Sequence, residues 1–414
     1  MNDEQVHKCV PARRFPEFKN DGEWEKSIFS DVFEFLPNNT LSRADLNYDK
    51  GVVKNIHYGD VLIKFGETLD VNESSLPFIS DEKNAQKASQ GALKNGDVVI
   101  ADTAEDEVVG KCTELKNVTN EIVVSGLHTI PVRPNVPFAS SFLGFYLNSE
   151  SYRKLLKPLM QGIKVIAISK GALSTTKIVY PQNFEEQKKI ADCLSSVNDL
   201  ILASKNKLEL LKKQKNGLMQ KLFPVNGKTV PEIRFKEFEK DGEWKEKLVK
   251  EICSIGTGKS NTQDQDKNGC FPFFIRSEYP VKSNKYLYDC EAVITIGDGK
   301  IGQVFHYVNG KFDLHQRCYR MFNFKNVLGK YFYYYFSMRF FERTKKMSAK
   351  ATVDSVRLEM IADMPFLLPS LDEQHKIVGC LTIFESLVDQ YARRLFLLEQ
   401  YKKGLMQQLF PLSR

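Results

Sequence analysis

The sequence contains no run of 18 or more uncharged apolar residues, and its opening stretch, Met1 to Arg14, is polar and charged. A membrane-spanning helix needs roughly 20 mostly apolar residues, and a secretory leader needs an apolar segment of its own. Neither is expected, so the chain reads as cytoplasmic with no membrane partner. The eight cysteines, Cys9, Cys112, Cys193, Cys253, Cys270, Cys290, Cys318 and Cys380, stand singly. None forms a Cys-x-x-Cys pair or joins a histidine at zinc-ligand spacing, which excludes the usual zinc modules and leaves reduced thiols.

Catalytic signatures are missing too. Gly297-Asp-Gly-Lys-Ile-Gly302 has the spacing of a dinucleotide loop, but a strand-like run and a second turn follow it where a helix would have to begin. Gly256-Thr-Gly-Lys-Ser260 has the tail of a phosphate-binding loop, but Cys253 stands where the first glycine belongs. No Asp/Asn/Ser-Pro-Pro-aromatic tetrapeptide is present, so the chain lacks the grip of an adenine N6-methyltransferase on its flipped base. The six histidines (His7, His57, His128, His306, His315, His375) form no triad or metal pattern. No catalytic, cofactor or metal site is expected in this chain.

What the chain does have is repetition. Its 414 residues are 42% apolar and 11% aromatic, enough to fill two or three cores, and its net charge of +7 suits a polyanionic partner. Val10, Pro11, Arg14, Phe15, Glu17, Phe18, Asp21, Gly22, Glu23 and Trp24 recur at an offset of 220 as Val230, Pro231, Arg234, Phe235, Glu237, Phe238, Asp241, Gly242, Glu243 and Trp244. A second repeat has an offset of 187: Glu186-Gln187 and Lys189-Ile190 return as Glu373-Gln374 and Lys376-Ile377. At its far end, Gly217-Leu-Met-Gln-Lys-Leu-Phe-Pro224 returns as Gly404-Leu-Met-Gln-Gln-Leu-Phe-Pro411. Self-similarity of this kind settles architecture before any local pattern does. The chain is two copies of one module, a globular segment followed by a helix of fixed length, and the first globular segment is about 33 residues longer than the second.

Within the helical segments, Ile190, Leu194, Val197, Ile201, Leu208, Leu211, Leu218 and Leu222 are matched by Ile377, Leu381, Phe384, Val388, Leu395, Leu398, Leu405 and Leu409. Alternating spacings of four and three mark a coiled-coil seam. Both seams are interrupted at the same places, Ser204 with Tyr391 and Lys215 with Lys402. Pro181 and Pro369 precede the helices, and Phe223-Pro224 and Phe410-Pro411 end them. Two matched seams, each behind its own globular head, predict an antiparallel pair with pseudo-twofold symmetry.

Both heads read as β-rich mixed domains, an α+β class overall. In the first, 60–65, 96–101 and 121–124 read as strands and 142–156 as helical. In the second, 292–296 and 302–308 read as strands, Asn309-Gly310 as a turn leading into 312–314, and 328–341 as an aromatic helix. Arg339, Arg343, Lys345, Lys346, Lys350 and Arg357 then crowd one segment against Glu342 and Asp354, a run suited either to solvent or to phosphate.

The Arg-Phe-x-x-Phe and Gly-Glu-Trp motifs ahead of each head, with Glu-Gln-x-Lys-Ile opening and Leu-Phe-Pro closing each helix, resemble the specificity subunits of type I restriction-modification systems over nearly the whole chain. That resemblance implies a first target-recognition domain at 1–180, a conserved helix at 181–224, a second target-recognition domain at 225–369 and a second helix at 370–414. It implies that each head reads one half of an interrupted double-stranded DNA site. The helix pair would set the spacing and dock two methyltransferase subunits, to which motor-nuclease subunits are added. S-adenosylmethionine, ATP and magnesium would belong to those partners. Physically this fits, because a head shifted along a duplex also rotates around it, and a rigid helix pair holds both distance and phase.

The resemblance also places Gln161-Gly162 and Lys164 in a loop before the last strand of the first head. Lys111, His128 and Arg133 are further DNA-contact candidates there, and Lys259, Arg276, Lys300, His315, Gln316, Arg317, Lys345, Lys346 and Lys350 in the second head. Arginine and lysine suit guanine and glutamine suits adenine, while most basic contacts go to phosphate. Trp24 and Trp244 recur in both heads and are assigned to packing. Two other classes compete with this reading. A self-contained enzyme would bind S-adenosylmethionine or cut DNA alone, and a structural coiled-coil protein would bind DNA regardless of sequence.

Overall fold

The computed structural model describes residues 9–225, 227–348 and 355–411. The chain divides into two compact units, Met1–Lys205 with Arg393–Arg414 and Asn206–Ala392. Each unit holds one head, the start of the helix behind that head, and the end of the other helix.

The long helices run Phe184–Leu222 and Leu371–Leu409, 39 residues each, or about 58 Å at 1.5 Å per residue. Asn183 caps the first by accepting from the Glu185 amide (3.0 Å), and Ser370 caps the second by accepting from the Glu373 amide (3.3 Å). Inside the first unit, Ile190, Leu194 and Val197 share a buried cluster with Leu405, Leu409 and Phe410. Inside the second, Leu218 and Leu222 join Ile377 and Leu381. In both, the beginning of one helix meets the end of the other, the antiparallel pairing that the heptads predict.

The first head has a five-stranded sheet ordered Phe33–Phe35, Thr129–Pro134, Val98–Ala101, Cys112–Lys116, Thr68–Asp70, and a four-stranded sheet ordered Ile122–Ser125, Val53–Ile56, Phe78–Ile79, Leu46–Asn47. The second has one six-stranded sheet ordered Ser254–Thr257, Cys318–Phe322, Tyr288–Ile296, Phe305–Leu314, Phe271–Phe274, Val281–Ser283. A small antiparallel ribbon closes each head where chain entry and exit meet: Glu25 opposite Tyr180 in one, Lys245 opposite Leu368 in the other.

The repeated motifs meet at the foot of each head. Arg14 donates to both carboxylate oxygens of Glu186 at 2.7 Å and to the Asp21 and Gly22 carbonyls. Arg234 does the same with Glu373 at 2.8 Å and with the Asp241 and Gly242 carbonyls. Both pairs are nearly fully buried. The adjoining glutamines serve the backbone: Gln187 accepts from Ala139 and donates to Pro181, while Gln374 accepts from Leu328 and donates to Pro369. Trp24 and Trp244 are both buried beside these anchors, packing against Phe410 and Tyr331 respectively.

Three local expectations are corrected. Residues 60–65 are not a strand, because Tyr58–Ile63 is a helix that His57 caps through the Gly59 amide. The 142–156 helix is broken into Phe142–Leu147 and Glu150–Leu156, with Asn148 ending one and Ser149 capping the next. Asn309-Gly310 is no turn but lies within the strand Phe305–Leu314, with Asn309 facing Glu291 and Gly310 facing Cys290. The reversal comes instead at 297–304, where Gly299 and Gly302 adopt φ of 81° and 68°.

Candidate nucleic-acid interface

The reversal at 297–304 organises one corner of the second head. Gly297 leaves the strand by donating to the Arg317 carbonyl (2.8 Å), and Val356 donates back to the Gly297 carbonyl (2.6 Å). Asp298 therefore stands at the tip between two chain segments. Its carboxylate binds Arg276 at 3.1 Å and Arg317 at 2.9 Å. Burial raises the pKa of Asp298, but the two guanidinium groups outweigh it and hold the carboxyl below its ordinary value. Gln316 donates to Asn261, and its amide to the Ser260 carbonyl. Lys259 and Lys300 are exposed on the flanking turns. His315 is buried beneath, where its Nδ1 accepts from the Arg317 amide at 3.1 Å. Burial, together with Arg276 and Arg317, depresses the pKa of His315, which keeps it neutral and able to accept.

Lys259, Arg276, Lys300, His315, Gln316 and Arg317 thus come together on one corner. The basic segment of 339–357 divides instead. Arg339 donates to the Pro224 carbonyl and Arg343 to those of Met360 and Asp363, so both arginines brace the fold. Lys345 and Lys346 are exposed near the end of the helix Gly329–Ser348. Lys350 lies outside the described residues.

The first head has the equivalent corner with different chemistry. Asp102 donates its amide to the His128 carbonyl (3.1 Å), as Gly297 does to Arg317, and Ile168 donates to Asp102, as Val356 does to Gly297. Here the basic group is His128, held at φ 56° with its Nδ1 3.4 Å from Asp102 and from the Thr103 hydroxyl. Tyr58 packs edge-on against the imidazole at 5.3 Å between ring centres. Behind Tyr58, Arg43 forms a two-pronged pair with Asp60 (2.8 and 3.0 Å), and Lys64 joins the same carboxylate at 3.0 Å. Sequence reasoning missed Arg43, Tyr58, Lys64 and Asp298. The shared geometry of the two corners, visible only after strand pairing, is what points to them.

The loop carrying Gln161 and Lys164 adjoins this corner, since Ile166 pairs with Ala104 and Ala167 with Thr103. Gln161 and Ala167 exchange backbone hydrogen bonds at 3.0 and 2.8 Å. Gly162 has φ 122°, and a Cβ there would fall 1.9 Å from the Val165 carbonyl oxygen, so only glycine fits. The loop presents Ile163, Lys164 and Val165 to solvent. Lys111 and Arg133 have internal partners instead. The Lys111 ammonium donates to the Leu62 carbonyl, with its pKa lowered by burial, and Arg133 forms a two-pronged pair with buried Asp97 at 2.8 and 2.6 Å. Among the described residues no group of three or more metal-ligating side chains comes together, and no helix is long and apolar enough to cross a membrane.

The family model described as the type I restriction modification DNA specificity domain matches residues 21–213 and again 241–399. A putative type I restriction enzyme MjaX specificity subunit of Methanocaldococcus jannaschii is 22% identical over 401 residues, covering 93% of this chain and 92% of that protein. The EcoDI specificity subunit of Escherichia coli is 28% identical over 168 residues, 40% of this chain and 36% of its own length. Among solved structures, the S subunit of a type I restriction-modification system from M. genitalium superposes with a TM-score of 0.64 at 14% identity, covering 98% of this chain and all of that one. A chain from a study of complex assembly and conformational transition in the type I system superposes with a TM-score of 0.54 at 16% identity, over 94% of this chain and 97% of that one. At these identities the structural likenesses establish the shared fold.

Proposed function

This chain belongs to the type I restriction modification DNA specificity family, and from that premise we propose that each head reads one half of an interrupted DNA site while the helix pair fixes the distance and phase between the halves. Sequence-specific DNA recognition is the role the family carries, and catalysis lies with other subunits. The observation that carries the finer reading is the contrast within the repeat. The anchors and the 39-residue helices are the same in both modules, whereas the equivalent corners differ, His128 with Asp102 in one and Arg276, Arg317 and Gln316 around Asp298 in the other. A common scaffold with different side chains at one position suits two readers of unlike half-sites.

In this reading Arg317, Arg276 and Gln316 contact base edges in the second half-site, and Lys259, Lys300, Lys345 and Lys346 contact phosphate. In the first half-site His128, Gln161 and Lys164 play these parts with Arg43 and Lys64. The helices dock two methyltransferase subunits, and motor-nuclease subunits join through them. Support for docking comes from apolar side chains on the outer helix faces: Leu200, Leu202, Phe396, Leu397 and Tyr401 in the first unit, and Leu210 and Ile383 in the second, are each 45–63% exposed. S-adenosylmethionine, ATP and magnesium serve those partners.

Exchange of residues 25–180 for the matching segment of a relative tests the reading. Methylation mapping in cells that also carry the methyltransferase should show one half-site changed and the other unaltered. A change in both halves would contradict it.

A further inference from the structure

Lys402 and Lys215 occupy the same place in the helical repeat, and both interrupt the apolar seam. In the first unit, the Lys402 ammonium lies 5.9 Å from the Phe145 ring centre and 2.6 Å from Glu67, a residue of the head. The same carboxylate accepts from Asn198 of the first helix at 3.2 Å. Burial pushes the Glu67 pKa up, but Lys402 and the hydrogen bonds outweigh it and hold the carboxyl below its ordinary value. Lys111, also partly buried, faces the same group.

In the second unit, Lys215 lies 5.4 Å from the Tyr334 ring centre, the counterpart of Phe145. Its acid is Glu385, at 2.8 Å, and Glu385 is on the helix. Glu385 stands 187 residues after Asn198, at the same helical position. The head here supplies a cation, Lys330, 3.6 Å from Glu385. The two layers therefore share lysine and ring but divide the charge oppositely. Where the helix is neutral the head is acidic, and where the helix is acidic the head is basic.

We propose that residues 198 and 385 act as positioning residues that match each head to its own helix by charge, Asn198 accepting the head that carries Glu67 and Glu385 the head that carries Lys330. A head moved to the other helix meets the wrong layer. The first head grafted ahead of the second helix would put two carboxylates, Glu67 and Glu385, against Lys215, with Lys111 of that head already held by the Leu62 carbonyl. The reverse graft would leave Lys330 and Lys402 together with no acid from the helix. Mispaired charges in a partly buried layer are destabilising, whereas polar layers that are satisfied specify register and partner.

Two experiments on the full chain test this. In the first, Glu67→Gln and isosteric Asn198→Asp are combined, and unfolding of the first unit is followed through Trp24 in a Trp244→Phe background. Glu67→Gln should lower the unfolding midpoint when residue 198 is Asn and raise it when residue 198 is Asp. Additive effects would overturn the proposal. In the second, which rests on the heads being half-site readers, residues 25–180 replace 245–368, and binding to a duplex carrying the first half-site twice is measured with and without Glu385→Asn. The substitution should strengthen binding by about tenfold, the scale of one coupled pair. Measurable binding that is equal with and without it overturns the charge matching. A reversed sign in the first experiment with no binding by either graft upholds the matching and counts against the half-site reading.

Discussion

Removing Glu186 should detach the first head from its helix while leaving the second intact. Both carboxylate oxygens of Glu186 bind Arg14 at 2.7 Å, and the Trp24 indole nitrogen donates to the same group at 3.3 Å. The Glu186 side chain is 1% exposed and that of Arg14 7%. In the Glu186→Ala chain Arg14 keeps the Asp21 and Gly22 carbonyls but holds an uncompensated charge away from water. Breaking one partner of a buried pair costs about 3–5 kcal/mol. With a urea dependence of about 2–3 kcal/mol per molar, that becomes a fall of about 1–2.5 M in the unfolding midpoint. A chain of two units is not expected to unfold in one step, so the assay must separate them. The sequence provides the means, since its two tryptophans lie one in each unit beside the anchors. With Trp244→Phe, fluorescence of Trp24 should report the full fall. With Trp24→Phe, Trp244 should show none, and Glu373→Ala should give the mirror result. A fall below about 0.3 M in the affected unit, or an equal fall in both, would refute the anchor as drawn.

Two further predictions concern the second head. Replacing Arg317 by Ala should weaken binding to the cognate site by about 1–3 kcal/mol and relax selectivity at one base pair, while the first half-site stays unchanged. Binding assays on single-base variants of the site check this, and a uniform loss over all sequences would place Arg317 on phosphate instead. Replacing Lys345 and Lys346 by Ala should weaken binding to every sequence alike and flatten the salt dependence by roughly 0.9 for each phosphate no longer neutralised. Titrations at several salt concentrations decide between this and a merely solvated pair, for which the slope would not move.

The duplicated frame was legible in the sequence because its parts are bound by fixed geometry. Arg14, Glu186 and Trp24 must meet in one buried cluster, so all three recur as Arg234, Glu373 and Trp244 even though 172 residues separate the first arginine from its acid and 139 the second, and the seam positions recur at a constant 187 because both helices have the same length. The corners were less legible, since they are assembled from segments far apart in the chain. Asp298 gains its meaning only once Arg276 and Arg317 fold onto it, and Arg43 and Tyr58 only once they pack behind His128. A charged residue read alone also says nothing of its partner. Arg133 and Arg343 looked as available as Arg317, whose side chain stays 64% exposed beside Asp298, but they are held by Asp97 and by backbone carbonyls. Residues 60–65 misled for a local reason: the preference of a short β-branched run was overridden by His57, whose cap starts a helix there.

The helix pair as a ruler is the central claim, and lengthening it is the most direct test. Seven helix-favouring residues inserted in register between Ser204 and Leu208, and seven more between Tyr391 and Leu395, keep the apolar seam and add about 10 Å to each helix. At about 3.4 Å per base pair, methylation mapping of this variant should show the gap between half-sites grown by about three base pairs, with both half-site sequences as before. An active protein that methylates sites with the original gap would contradict the account.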